Sequence, residues 1–186
     1  MVYSPQGAEA RPIYLKGKES SIQLIFALPA WGIGAMPNKF VADAMLGRLA
    51  KWLRIMGYDA HYQPFYEPRQ VHSLANEGRV FLTRNSRWLN RCKGTLLVRS
   101  DHVKDQLHQL RQEGLIQVDR AAWFTRCRLC NETLQVAPSE AVRENVPDHV
   151  LLENPSGISF CPSCNRFFWP GSHKKNMMAR LRVWGF

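Results

Sequence analysis

The chain has 186 residues, 45% of them hydrophobic, and a formal net charge of +10. That apolar share can build one ordinary domain plus a small module, and charged residues without long runs exclude global disorder. So strong a positive balance points to a polyanionic partner, nucleic acid first.

Residues 1–38 carry the least information. The stretch Ile22 to Leu28 follows Lys16 and Lys18 and faintly imitates a signal peptide, but Gln23 and Pro29 interrupt it. No run approaches the ~18 apolar residues of a spanning helix, so no membrane segment is expected. Two readings stay open: a strand packed on the domain, or a weakly structured extension ahead of an internal start near Met36.

From Lys39 onward strands and helices alternate. Lys39 to Ala42 reads as a short strand ending at Asp43. A helix follows, with Met45, Leu46, Leu49, Trp52, Leu53 and Met56 on one face and Arg48, Lys51 and Arg54 on the other. Gly57 suits the position just past a helix, where positive φ is needed. Tyr58 to Tyr62 reads as a second strand, and a short helix runs from Pro68 to about Asn76. Val80 to Thr83 is a buried-looking strand, Arg87-Trp88-Leu89 a brief helix, Thr95 to Val98 a strand, and His102 to Gln112 a helix. This alternation over residues 39–120 predicts an α/β fold: a mostly parallel sheet with helices on both faces.

Residues 121–186 read as a separate small module built on Cys127-Arg128-Leu129-Cys130 and Cys161-Pro162-Ser163-Cys164. Each Cys-x-x-Cys bends into a knuckle that can turn two sulfurs toward one tetrahedral Zn²⁺. Two disulfides or four unrelated buried thiols are the alternatives, and the doubled spacing favours zinc. Cys92 lies outside both pairs and reads as a buried free thiol. Zinc-binding thiols must stay reduced, which favours a cytoplasmic location. Between the knuckles, Ser139 to Val142 reads as one helical turn and Val146 to Ser156 as a loop.

In a parallel sheet, functional groups gather outside the carboxyl ends of the strands. Asp43 follows the first strand, Arg84-Asn85 follows Thr83, and Asp101 follows the strand ending at Val98; Asp59 sits near the start of its strand. Carboxylates from separate strand ends can converge on Mg²⁺ or Mn²⁺, polarise a phosphodiester and activate water. Taken singly, Asp43 and Asp101 read better as helix caps, each worth about 1 kcal/mol; taken as a set of strand-end polar residues, a metal site stands level with that reading. The two roles are compatible.

Basic residues flank these positions. Between Arg79 and Arg99 lie Arg84, Arg87, Arg91 and Lys93 without an intervening Asp or Glu. After Glu153 the chain holds Arg166, Lys174, Lys175, Arg180 and Arg182 and no acid, interleaved with Phe167, Phe168, Trp169 and Trp184. That mixture suits phosphate pairing and base stacking on RNA, although Phe167 and Phe168 more simply cover the core of a tiny metal module. His173 suits a phosphate contact or a structural role; four cysteines already complete a zinc. No Walker loop, dinucleotide fingerprint or Gly-x-Ser-x-Gly elbow is present.

The block Phe40-Val41-Ala42-Asp43-Ala44-Met45-Leu46-Gly47-Arg48-Leu49-Ala50-Lys51-Trp52-Leu53-Arg54-Ile55-Met56-Gly57-Tyr58-Asp59 resembles the opening of a PIN-like ribonuclease family. That family is named for the C-terminal domain of the Mut-seven exonuclease and carries a zinc ribbon behind its catalytic fold. The resemblance continues through Phe81-Leu82-Thr83-Arg84-Asn85, Arg126-Cys127-Arg128-Leu129-Cys130-Asn131, Cys161-Pro162-Ser163-Cys164 and Phe168-Trp169-Pro170-Gly171-Ser172-His173. It implies a Mg²⁺- or Mn²⁺-dependent ribonuclease in which Asp43 matches the first-strand aspartate. The position after Thr83-Arg84 is usually aspartate in that family; here Asn85 offers a neutral carbonyl oxygen and one fewer negative charge. Glu67 is the one carboxylate near Pro68, where another acid is expected.

Three readings follow. The first is a ribonuclease holding its metal through Asp43 with Asp59, Asn85 and Asp101, the zinc ribbon gripping RNA. The second is an RNA-binding or adaptor protein that kept the fold and lost the acid cluster. The third is a zinc-ribbon protein that binds other proteins.

Overall fold

The structure is a computed structural model that describes residues 39–154 and 157–186. The readings made for residues 1–38 lie outside the described residues.

Four short parallel strands form the main sheet: β1 (Lys39–Ala42), β2 (Asp59–Tyr62), β3 (Val80–Thr83) and β4 (Thr95–Leu97), in spatial order β2-β1-β3-β4. Phe40, Val41 and Ala42 of β1 and Phe81 and Leu82 of β3 are essentially inaccessible. Strands covered on both faces need such unbroken apolar runs. Alternation sends Val41 and Phe81 to one face, where they pack with Tyr66, Val71 and Cys92 under α2 (Pro68–Asn76). Cys92 is buried and free, as expected. The other face carries α1 (Gly47–Ile55), entered through a 3₁₀ turn at Ala44–Leu46, and α3 (Val103–Gln112). Leu49, Leu53, Leu107 and Leu110 are fully buried.

Two residues of the first helical segment depart from the amphipathic pattern. Met45 is 64% exposed, because the 3₁₀ turn shifts its angular position before α1 begins. Arg54, expected on the polar face, is only 3% exposed. Gly57 ends the helix at φ 92°, and a Cβ there would collide with the backbone oxygen of Ala122. The chain passes so close at this point that Phe124 N donates to Ile55 O at 2.8 Å.

The remaining residues form a three-stranded antiparallel sheet of β5 (Gln135–Val136), β6 (Ser159–Phe160) and β7 (Phe167–Phe168). Its connection contains α4 (Ser139–Asn145), longer than the single turn expected. It also contains α5 (Asp148–Glu153), where a loop was expected. Val142, Val146, Val150 and Ile158 form the core of this module with Phe167 against them. Pro147 at the N-cap and Asp148 in the first turn are start signals that favour a helix here. A last helix, α6 (Ser172–Val183), returns to the first layer. Trp184 meets Trp52 at 4.7 Å between ring centroids, and Phe186 packs on His108 at 5.1 Å. Among the described residues no helix is long and apolar enough to cross a membrane.

Candidate active site and cysteine cluster

Strands β1 and β3 are neighbours although β2 separates them in sequence, so their outgoing connections diverge. A crevice opens outside the carboxyl ends of such a pair. Asp43 follows β1 there, and its N–H still donates to Leu82 O at 2.9 Å. Thr83, fully buried, ends β3 and donates its hydroxyl to Asp43 Oδ2 at 2.6 Å. Ala44 N donates to the other oxygen at 2.7 Å. The first distance lies at the short end of the hydroxyl–oxygen range. Two donors therefore orient a half-exposed acid that also caps the 3₁₀ turn. Thr83 was not singled out as a site residue from sequence; its place as the polar end of an apolar strand was the available signal.

Asn85 belongs to the same strand end. Its N–H donates to Thr83 Oγ1 at 3.0 Å, and its Oδ1 accepts from Arg87 N at 3.1 Å. Asn85 thereby caps the 3₁₀ turn Ser86–Trp88 with its side chain. Asp101 is not a helix cap. His102 holds the cap position of α3, its N–H donating to Ser100 Oγ at 3.0 Å. Asp101 instead forms an ion pair with Arg84 and stays largely exposed. Glu67 opens α2 in a capping box with Gln70.

Asp59 lies at the opposite end of the sheet. It pairs with Lys39, four residues before Asp43, which is about 13 Å along the strand. Arg79 Nη1 and Asn131 Nδ2 both donate to its Oδ1 at 2.7 Å. Burial alone would raise the pKa of Asp59, but these two donors and the Arg79 charge outweigh it and hold the carboxyl below its ordinary value. Asp59 therefore does not join Asp43.

The two Cys-x-x-Cys knuckles have one geometry. In the first, Asn131 N donates to Cys127 O at 2.9 Å and Cys127 N to Glu132 O at 2.7 Å. In the second, Asn165 N donates to Cys161 O at 2.9 Å and Cys161 N to Arg166 O at 2.9 Å. Asn131 and Asn165 take φ of 74° and 53°, a left-handed conformation that asparagine tolerates better than most residues. The four sulfurs lie within 4.8 Å of one another. Cys127–Cys164 is 3.7 Å and Cys130–Cys161 3.3 Å. A tetrahedral zinc with Zn–S of about 2.3 Å separates its sulfurs by about 3.8 Å, whereas a disulfide needs about 2.05 Å. The donor set fits a zinc ion. Zinc takes cysteine as thiolate, so metal binding displaces the protons that these thiols carry.

Among the described residues, the cysteines are the one group of three or more His, Cys, Asp or Glu side chains placed to share an ion. At the carboxyl end of the sheet Asp43 is the carboxylate oriented by the Thr83 hydroxyl and the Ala44 amide, while Asp101 is paired with Arg84 and Glu67 is engaged in the cap of α2.

The cysteine module docks at the amino end of the sheet, away from Asp43. Asn131 Oδ1 accepts from Ala60 N at 3.0 Å. Arg54, at the far end of α1, donates to Ala60 O at 2.8 Å and to Leu129 O at 2.7 Å. Arg166, Trp169, His173 and Lys174 line a cleft of about 540 Å³ beside this module, and Lys175 is exposed on α6. Arg84 and Arg87 sit near Asn85, while Arg91 and Lys93 are exposed in the turn leading back to the amino end of β4. The sequence alone placed the ribbon's basic and aromatic residues beside the acidic site; the geometry sets them at the other end of α1.

No curated protein and no solved structure matches the chain. The model of the Mut7-C RNAse domain matches residues 38–181, well over half of the sequence, and the protein belongs to that family.

Proposed function

We propose that the protein is a metal-dependent ribonuclease whose reaction centre is the carboxyl end of β1 and β3. The observation that carries this reading is Asp43, held at the topological switch point by the Thr83 hydroxyl and the Ala44 amide. One carboxylate with neutral oxygens suits Mg²⁺ or Mn²⁺, ions that complete their shells with water and substrate phosphate. Asp43 would hold the ion, assisted by the Asn85 carbonyl oxygen. The ion supplies charge stabilisation at phosphorus and a more acidic water. Thr83 keeps the Asp43 carboxylate aimed outward, and Arg87 lies where it can pair with a backbone phosphate. The reaction is hydrolysis: water adds at phosphorus, and the bond to a ribose oxygen breaks.

Zinc in the four cysteines has no open position for water, so its part is structural. RNA is the proposed polyanion, and a reducing, cytoplasmic setting suits the thiolates.

A second reading has its own support. The acid cluster is sparse, with Asn85 in the usual aspartate position and Asp101 neutralised by Arg84. A non-catalytic RNA-binding protein would look the same. Incubating labelled RNA with Mg²⁺ or Mn²⁺ separates the two. The nuclease reading expects cleavage that disappears in Asp43→Asn and rises in Asn85→Asp. RNA binding without cleavage under either ion, in the native chain and in Asn85→Asp, would leave the binder.

A further inference from the structure

The cleft beside the cysteine module is not part of the Asp43 centre. It opens between the first knuckle, the β6–β7 hairpin and the start of α6, and holds about 540 Å³. That volume falls within the ~300–1,000 Å³ of ordinary ligand sites. Arg126, Arg128, Arg166 and Lys174 line it, and no Asp or Glu does. Lys174 is held over the Phe124 ring at 4.9 Å, which places its ammonium at the wall. Arg126 is committed to backbone, donating to Asn131 O at 2.9 Å and to Gly57 O at 3.2 Å. Arg166 is exposed two residues past Cys164, so the second knuckle positions it. Trp169 is 37% exposed and, with Phe168, supplies aromatic surface to the same cleft. Gly171, Ser172 and His173 contribute the opening turn of α6 to the same wall; that turn has no side-chain cap, and its first amides lack an intrahelical acceptor.

We propose that this cleft is an anchoring site for one nucleotide of single-stranded RNA, its phosphate held by Arg166 and Lys174 and its base against Trp169. Cations without acids select an anion, and exposed aromatic surface beside them selects a base-bearing one over an acidic peptide. The proposal rests on the ribonuclease reading for its substrate class. It adds a second, remote contact to that substrate. From Asp43 to Ile55 the chain advances 12 residues, about 18 Å at the helical rise. A strand stacked at ~3.4 Å per nucleotide would need about five nucleotides to reach from one site to the other.

The test uses the full-length, zinc-loaded protein in an Asp43→Asn background, with a fluorescein-labelled ten-nucleotide oligoadenylate read by anisotropy. Arg166→Gln with Lys174→Gln frees the one anchored phosphate, so the salt slope should flatten by about 0.7 and affinity fall about fivefold near 0.1 M salt. Trp169→Ala should weaken oligoadenylate more than an inorganic polyphosphate of equal charge. Zinc content and melting temperature, unchanged in each variant, keep folding out of the comparison. In the Asp43-intact enzyme the double substitution should raise KM for the ten-nucleotide RNA without lowering kcat, and leave a three-nucleotide RNA unaffected. An unchanged oligoadenylate slope and affinity would overturn the cleft assignment, and so would tighter binding of an oligoglutamate peptide than of the RNA. If the native chain cleaves nothing yet the slope still flattens, the anchor stands and the ribonuclease reading fails.

Discussion

Replacing Arg54 by methionine removes the guanidinium that joins the sheet to the first cysteine knuckle. Arg54 is buried inside α1 and donates to Ala60 O at 2.8 Å, to Leu129 O at 2.7 Å and to Arg128 O at 3.3 Å. Burial lowers its pKa, opposed mainly by the nearby sulfurs of Cys127 and Cys130. Hydrogen bonds from a charged donor contribute about 1.5–3 kcal/mol each, and the two short ones give about 3–6 kcal/mol. Relief of the buried charge offsets part of this, while the carbonyls left without a donor add to the loss. The net destabilisation should be about 3 kcal/mol, or about 6–12 °C in melting temperature for a chain of this size. Arg48→Met and Lys51→Met, on the exposed side of the same helix, should each stay within about 0.5 kcal/mol. Thermal and urea unfolding of the zinc-loaded protein would measure these differences, and the rate of zinc transfer to a chromogenic chelator should rise in Arg54→Met alone. A loss below about 1 kcal/mol with unchanged zinc release would refute the idea that Arg54 fastens the knuckle.

Three further outcomes are expected. Thr83→Val keeps the buried shape but removes the donor to Asp43 and the acceptor for Asn85 N; RNA cleavage should drop at least tenfold, with a stability cost of about 1–3 kcal/mol. A cleavage rate equal to the native one would show that Asp43 needs no such support. Cys161→Ser should abolish stoichiometric zinc binding and melt the three-stranded module, seen as lost amide dispersion for residues near β6 and β7, because metal binding and folding are one free energy. Asp59→Asn should lower stability at neutral pH. The folded carboxyl is held below its ordinary value of 3.8, so its contribution is present above that value and is lost as pH falls through the depressed one. The melting gap between native and Asp59→Asn protein should therefore close in acid; a gap independent of pH would assign the loss to packing.

Much of the architecture was legible in the residues. Lys39 to Ala42 read as a short strand and Val80-Phe81-Leu82-Thr83 as a buried one, and the helices between them implied the parallel pairing that the sheet has. The cysteine spacing was enough to bring four sulfurs together. The helix at α6 was not foreseen, since Leu181 is its one buried residue and even the apolar Val183 is 81% exposed, so no apolar stripe marks it. Arg54 read as a surface residue because helical periodicity counts positions around an axis and cannot see a second module arriving over one of them.

What the sequence determined by itself is chemical identity and local order: a basic chain, two thiolate knuckles, an acid after the first strand, a neutral amide after Thr83-Arg84. These follow from side-chain chemistry and from periodicities of two and 3.6 residues. Only the tertiary structure decided which end of the sheet each group occupies. Asp59 and Asp43 are 16 positions apart in sequence and carry the same functional group. A strand, however, has two ends. The crossover through α1 sends Asp59 to the amino end, into the grip of Arg79 and Asn131, and leaves Asp43 with Thr83 at the carboxyl end. After β4, α3 returns the chain toward the amino end, where the cysteine module docks through Asn131 on Ala60. Direction along a parallel sheet is a property of how strands pair, and no single stretch of residues contains it.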